Sequence, residues 1–341
     1  MSLELNEFLA KRKELLSPLL IMTHDHPDPD AMASAFGLHY LALEAHNIRS
    51  RIVYGGVIGR MENQTMKREL KIPIQKLRPR DLNAENRVAL VDTQPSFTNN
   101  PFPSKRKAEI VIDHHPRHRN TQAEFLLIRE KYGATSTIIM EAIQQAGLRI
   151  PRPLATALVY AISSETQNLG REASPEDIGA FMKLYPQVST QALARIQHPP
   201  RSDDYFITVG QAIHNAFVCG RAIGVDLGRI RNPDLVSQIA DFLLSCHGKT
   251  WSLCTGRYRD RLHVSLRTSN VKSEAGRLLQ KLVGGKGSAG GHDMIAGGSV
   301  HLGEKMAEER WREAETMIAT RLMQELGYKR EAPFDKAFVE D

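Results

Sequence analysis

The stretch Leu19-Leu20-Ile21-Met22-Thr23-His24-Asp25-His26-Pro27-Asp28-Pro29-Asp30 decides how this chain folds. Its four apolar residues run into a polar, proline-punctuated segment, the pattern of a buried strand stopping at its carboxyl end. In an open α/β sheet, ligands bind outside that end of the strands. His24, Asp28 and Asp30 place one imidazole and two carboxylates within seven residues, a donor mixture suited to Mn²⁺ or Mg²⁺. The same residues also fit a plainer arrangement, with Asp28 or Asp30 capping the next helix and His24 exposed.

Downstream, Ala31, Ala35, Leu38, Leu41 and Ala42 recur at helical spacing to about Ala45. Arg51-Ile52-Val53-Tyr54 reads as a strand ended by Gly55-Gly56, and a polar helix follows over 62–70. Arg87-Val88-Ala89-Leu90-Val91 ends at Asp92-Thr93, and Glu109-Ile110-Val111-Ile112 ends at Asp113-His114-His115-Pro116. The apolar strands over 19–22, 87–91 and 109–112 each deliver an acid or an imidazole at the carboxyl end. The connections between them are long enough for a mainly parallel sheet with flanking helices. Gly133-Ala134-Thr135-Ser136 starts a helix that stops at Gly147, and an apolar helix over 154–162 leads into Ser163-Ser164-Glu165-Thr166. Ser174-Pro175 supplies a further N-cap and first-turn proline.

The prolines of Gln197-His198-Pro199-Pro200-Arg201 interrupt both periodicities and mark a linker. The expected division is a first domain over 1–195, a linker over 196–203, a smaller α/β domain over 204–330 and a tail over 331–341. In the second domain helices are expected over 205–216 and 235–244, and a strand over 222–227. A hairpin over 251–257 and 262–266 should turn at Tyr258-Arg259-Asp260-Arg261, putting Arg257, Arg259 and Arg261 on a solvated rim. A short helix near 273–282 precedes the glycine-rich 284–298 segment, and a charged helix over 304–326 closes the domain.

A chain of 341 residues can bury two cores, and 41% hydrophobic with 25% charged residues is ordinary for a globular protein. The N-terminus lacks the apolar core of a secretory signal, and no apolar run is long enough to span a bilayer, so a cytoplasmic location is expected. Cys219, Cys246 and Cys254 match neither a disulfide framework nor a Cys-x-x-Cys metal site. The net charge of +6 suits an anionic substrate. With 6% aromatics there is no array of stacking platforms for a long single strand, so a small or short phosphate-bearing substrate is favoured.

The strand-end residues His24, Asp28, Asp30, Asp92, Asp113, His114 and His115, with Glu165 after its helix, would repel one another unless cations neutralise them. Singly, each has a dull role as a cap, a salt-bridge partner or a surface group. All of those roles must hold together to remove a metal site. At this point the motifs carry a resemblance. His24-x-x-x-Asp28-x-Asp30-x-x-x-Ser34, then Val91-Asp92, then Asp113-His114-His115, resemble the DHH phosphoesterase superfamily. Arg267-Thr268-Ser269 and Gly290-Gly291-His292-Asp293-Met294 resemble its accessory C-terminal domain, so the likeness runs over about 19–300. In size and domain pair the chain is most similar to the oligoribonuclease (nanoRNase) and pAp-phosphatase group.

That resemblance implies an α/β fold with the second domain facing the first across a cleft. It implies two divalent metals, Mn²⁺ or Mg²⁺. His24 and Asp28 would bind one, Asp30 and His114 the other, and Asp92 would bridge them. Asp113 and His115 would complete the catalytic motif, while Ser34, Arg267, Ser269, Gly290, Gly291 and His292 would contact substrate. The family carries an aspartate before the threonine where this chain has Glu165-Thr166, so Glu165 is a metal-ligand candidate with one extra methylene. The implied reaction is phosphoester hydrolysis by water activated between two cations. Its substrate would be short RNA, a dinucleotide or a nucleotide bisphosphate such as adenosine 3′,5′-bisphosphate, with no long duplex and no membrane. A cyclic- or linear-dinucleotide hydrolase and a weakened nucleotide-binding module are the competing readings. A homodimer through the last helix is compatible with all three.

Overall fold

The computed structural model describes residues 3–103, 105–170, 173–270, 273–291, 294–303, 306–328 and 334–338. The chain divides into two compact units between Pro199 and Pro200.

In the first unit an amphipathic start forms α1 (Leu3–Lys11) and α2 (Lys13–Leu16), which bury Leu5, Leu9 and Leu16. The opening apolar run is β1 (Leu19–Met22), buried at every position. Alternate side chains of a strand face opposite sides. Leu19 and Ile21 accordingly join a large core, and Leu20 and Met22 a smaller one on the other face. Next come α3 (Pro29–His46), β2 (Ser50–Tyr54), α4 (Met61–Glu69), β3 (Ile74–Lys76), β4 (Arg87–Val91), β5 (Ala108–Asp113) and β6 (Ala123–Ile128). The sheet order is β3-β2-β1-β4-β5-β6 and every pairing is parallel. The chain steps from β1 to one side through β2, then returns to add β4 on the other side. That reversal opens a crevice at the carboxyl ends of β1 and β4, the usual ligand position in such sheets.

The helices α5 (Thr135–Gln145), α6 (Arg152–Glu165), α7 (Pro175–Leu184) and α8 (Thr190–Gln197) complete the unit. Ile138, Ile139, Leu158 and Ile162 pack with Leu38 and Leu41 of α3 in the large core. Gly37 permits this packing, because a Cβ there would lie 2.4 Å from Ile139 Cγ2. The close crossing brings the first turn of α5 against the first turn of α3, which matters for the site below. β3 carries too few apolar residues to be read as a strand, whereas β6 holds the apolar run Phe125-Leu126-Leu127-Ile128, which the sequence reading passed over; they pair in parallel with β2 and β5.

The second unit contains α9 (Asp203–Asn215), β7 (Phe217–Cys219), β8 (Ala222–Arg229), α10 (Asp234–Leu244), β9 (Trp251–Tyr258), β10 (Arg261–Thr268) and α11 (Ala275–Val283). These are followed by β11 (Gly287–Gly291), β12 (Ile295–His301), α12 (Glu308–Glu325) and β13 (Asp335–Lys336). Its sheet runs β11-β12-β10-β9-β8-β7-β13 and is antiparallel except for β8 with β9. Within the glycine-rich segment Gly287–Gly291 pairs with β12, and a Cβ on Gly276 of α11 would lie 2.6 Å from the Gly291 carbonyl oxygen. One expectation is corrected by the second unit. Arg257 is not on a solvated rim: it is 8% exposed, forked onto Glu315 and bonded to Glu308. The hydrogen bond with Glu315, helped by Glu308, raises the guanidinium's pKa still further against the opposing effect of burial, so its charge is permanent. Among the described residues no helix is long and apolar enough to cross a membrane.

Candidate metal centre

Asp28 plays both of the roles that the sequence left open. It is the N-cap of α3, its Oδ1 accepting from Ala31 N at 2.9 Å, while Oδ2 lies 3.6 Å from His24 Nε2. His24 Nδ1 donates to the Asp25 carbonyl oxygen at 2.7 Å. A carbonyl only accepts, so the proton of the neutral ring sits on Nδ1 and the Nε2 lone pair is free for a cation. That nitrogen also lies 3.6 Å from Asp92 Oδ2.

Asp92, just past β4, is 2% exposed and adopts φ 59°. This left-handed backbone is tolerated by aspartate, and it turns the chain sharply at the strand end. Its Oδ1 accepts from Thr135 Oγ1 at 2.9 Å and lies 3.7 Å from both His114 Nε2 and His115 Nδ1. His114 repeats the logic of His24: Nδ1 donates to the Tyr132 carbonyl oxygen at 3.1 Å, and Nε2 is buried with no hydrogen-bond partner. A buried orphan lone pair facing a carboxylate is costly unless a cation completes it. Donor atoms thus gather in two groups, His24-Asp28-Asp92 and Asp92-His114-His115, with Asp92 in both. Imidazole and carboxylate donors in this arrangement fit divalent cations such as Mn²⁺.

Asp30 is held from behind. Thr135 N and Ser136 N at the start of α5 donate to its two oxygens at 2.7 and 2.8 Å, and Ser34 Oγ donates to Oδ1 at 3.3 Å. Ser34 is 0% exposed and also bonded to Ser136, so it supports Asp30 from inside the core, not from a substrate-facing surface. Burial, then the charge of Asp92, pushes the Asp30 pKa up to about 7. The charges of Asp92 and His114 both act on Asp30.

The charges of the cluster act strongly on one another. Burial opposes a charge on His24, but Asp28 and Asp92 outweigh it and raise its pKa well above the ordinary value. His115, also buried, is raised to about 9 by Asp113 and Asp92. Asp28 stays ionised, since contact with His24 overcomes its burial. Glu165, at the end of α6, is pushed well above the carboxylate range by burial and by the charges of Asp28, Asp30 and Asp92. The structure therefore brings this glutamate into the cluster. An acid whose folded pKa is raised loses stability as pH climbs through its ordinary value toward the raised one. Glu165→Gln should therefore raise the Tm of the metal-free protein at pH 8 and weaken Mn²⁺ binding about tenfold. Scanning calorimetry with and without Mn²⁺ checks both effects.

Of the residues assigned to substrate in the second unit, Arg267 is buried and bonded to Asp241 and to the Leu266 and Ala296 carbonyls. Ser269 is exposed just past β10, and Gly290 and Gly291 are exposed on β11. His292 lies outside the described residues. Sequence reading took Thr135 and Ser136 only as a helix start, missing their bonds to Asp92 and Asp30, and it missed Gln94 and the Tyr132 carbonyl altogether. Only Thr135-Ser136 carried a signal, as a helix N-terminus that favours an anion.

Residues 18–162 match the DHH family, N-terminal domain, and residues 216–319 match the DHHA1 domain. An uncharacterized protein of Methanocaldococcus jannaschii is 33% identical over 325 residues, covering 94% of this chain and 66% of that protein. A protein described as a probable manganese-dependent inorganic pyrophosphatase of Streptococcus pyogenes is 24% identical over 155 residues, covering 44% of this chain and 49% of its own. The chain thus spans less than two thirds of either relative. The crystal structure of an exopolyphosphatase-related protein from Bacteroides fragilis aligns with TM-score 0.70 at 14% identity, covering 94% of this chain and 97% of that one. That likeness concerns the fold.

Proposed function

This chain carries a DHH family N-terminal domain followed by a DHHA1 domain, and on that premise we propose that it is a two-metal phosphoesterase. Its proposed substrates are short oligoribonucleotides, cleaved to nucleoside monophosphates, with adenosine 3′,5′-bisphosphate as a second substrate. The observation that carries the reading is Asp92, whose two oxygens face two separate imidazole-containing donor groups. When bound, paired divalent cations supply the positive charge that polarises a phosphoryl oxygen and acidifies a water.

The chain's own residues do the rest. His24 and Asp28 would hold one cation; His114, Asp30 and Glu165 would serve the other, with Asp92 shared. The carbonyls of Asp25 and Tyr132 keep the Nε2 lone pairs of His24 and His114 turned inward. Asp113 bonds His115 Nδ1 at 2.8 Å and fixes that ring beside Asp92, where a charged imidazole can meet a phosphoryl oxygen. No serine or cysteine nucleophile is required. Arg267, Ser269, Gly290, Gly291 and His292 in the second unit are the proposed contacts to the part of the substrate away from the scissile bond. Arg267→Ala should therefore raise KM with little change in kcat, and should also lower Tm, because the same guanidinium is buried against Asp241 and the Leu266 and Ala296 carbonyls.

A substrate panel tests the reading: RNA of two to five nucleotides, matched DNA, cyclic dinucleotides, adenosine 3′,5′-bisphosphate and pyrophosphate, each with Mn²⁺. The highest kcat/KM is expected on short RNA, with complete loss on adding EDTA. Fastest turnover of pyrophosphate would overturn the substrate assignment. Binding without turnover across the panel would overturn the enzyme reading.

A further inference from the structure

Gln94 sits two residues past Asp92 and is fully buried. Its carboxamide is satisfied at both ends. Oε1 accepts from His118 N at 2.9 Å and from Thr121 Oγ1 at 2.7 Å. A backbone N–H can only donate, so the oxygen end is fixed and the amide NH₂ must face the other way. Nε2 donates to Asp113 Oδ2 at 2.8 Å, with longer contacts to the carbonyls of Pro116 at 3.2 Å and His115 at 3.4 Å.

The carboxylate of Asp113 is buried as well, and its two oxygens have separate tasks. Oδ2 takes the Gln94 amide, while Oδ1 takes both the His115 backbone N–H at 3.2 Å and His115 Nδ1–H at 2.8 Å. The carboxylate can bond His115 in this way only while its other oxygen is held. If Oδ2 loses its donor, the buried carboxylate turns toward another one, and the imidazole turns with it.

We propose that Gln94 is a positioning residue for the hydrolytic centre, acting through Asp113 to fix the orientation of the His115 ring and hold its Nδ1–H on the Asp113 carboxylate. The assignment rests on the phosphoesterase reading only where activity is the readout. The competing role is purely structural, with Gln94 cementing the 115–121 loop through His118 and Thr121. Side chains that orient metal-site groups typically cost 10–100-fold when removed. A loop cement costs stability instead.

The experiment is a double-mutant cycle on the full chain with Mn²⁺ and an RNA dinucleotide. Gln94→Met should lower kcat about 10–100-fold and leave KM within about threefold. Asp113→Asn should lower it at least as much, and the double variant should be no slower than Asp113→Asn alone, because both act along one path. Losses that multiply, or a Gln94→Met kcat within about twofold of wild type, would overturn the proposal. Thr121→Val removes an Oε1 partner but leaves Nε2 on Asp113, so it should lower Tm and spare kcat.

A second readout needs neither metal nor turnover. In the metal-free protein, proton and ¹⁵N NMR should show a protected His115 Nδ1–H that is lost in Gln94→Met; an unchanged signal counts against the proposal. If Gln94→Met does not fold, Asp113→Asn reads the contact from its other end. The Gln94 side-chain amide protons, slow to exchange in wild type, must then become fast. Should wild type hydrolyse nothing in the panel, the phosphoesterase reading fails, and these resonances alone decide the role of Gln94.

Discussion

Asp92→Asn is expected to abolish Mn²⁺-dependent hydrolysis, by at least about 10³-fold in kcat, while the metal-free protein keeps its fold. Asp92 belongs to both donor groups, so losing its charge weakens both cation positions at once. Asparagine is the right probe because residue 92 has φ 59°, a conformation that Asn tolerates and Ala strains. Its amide oxygen can also still accept the hydrogen bond from Thr135 Oγ1. The metal-free variant should be as stable as wild type or more so, since Asp92 is one of the charges that push Asp30 up to about 7. Saturating Mn²⁺ should raise the Tm of wild type by mass action and leave that of the variant almost unmoved. Thermal melts with and without Mn²⁺, beside initial rates, measure both. A variant retaining a tenth of wild-type activity would rule out a shared bridge.

Mn²⁺ affinity should climb steeply with pH, about tenfold per unit for each proton displaced, between pH 6 and 8. The sign follows from which groups hold protons before the metal arrives. Asp30 titrates near 7 because of burial and then Asp92. Against its burial, Asp28 and Asp92 raise the His24 pKa as well. At pH 6 both hold protons, and each must release one to bind a cation. Asp28 is already ionised and contributes no slope. The dependence should begin to flatten above pH 7, once Asp30 is ionised. Calorimetric titrations at several pH values, in two buffers of different ionisation enthalpy, count the protons released. An affinity that is level from pH 6 to 8 would show that cations do not displace these protons.

Much of the first unit was legible in the chain. β1, β4 and β5 are buried on both faces, so their apolar runs stand out without alternation, and each ends in the residues that gather at the site. β3, with the sequence Ile74-Gln75-Lys76, left no such mark, because its edge position is defined by the pairing offered to it, whereas the Phe125–Ile128 run of β6 was legible and passed over. The Gly287–Gly291 strand was illegible for a related reason, since glycine carries no side-chain periodicity and its pairing with β12 is a tertiary fact. Arg257 looked like any exposed arginine, and only Glu315 and Glu308, more than fifty residues later, draw it into the interior.

The residue types of the centre and their strand-end positions are determined by the sequence alone: an apolar run must stop where His24, Asp92 and Asp113 begin, since none of these can lie in a dry strand interior unpaired. Their division of labour is decided only by the tertiary structure. Asp28 caps α3 with one oxygen and faces His24 with the other, and Ser34 turns inward to Asp30. Glu165 approaches the same acids across the packing of α6 on α3. Hydrogen bonds are directional and span distant parts of the chain, so a carboxylate's role depends on which donors folding brings to each of its oxygens.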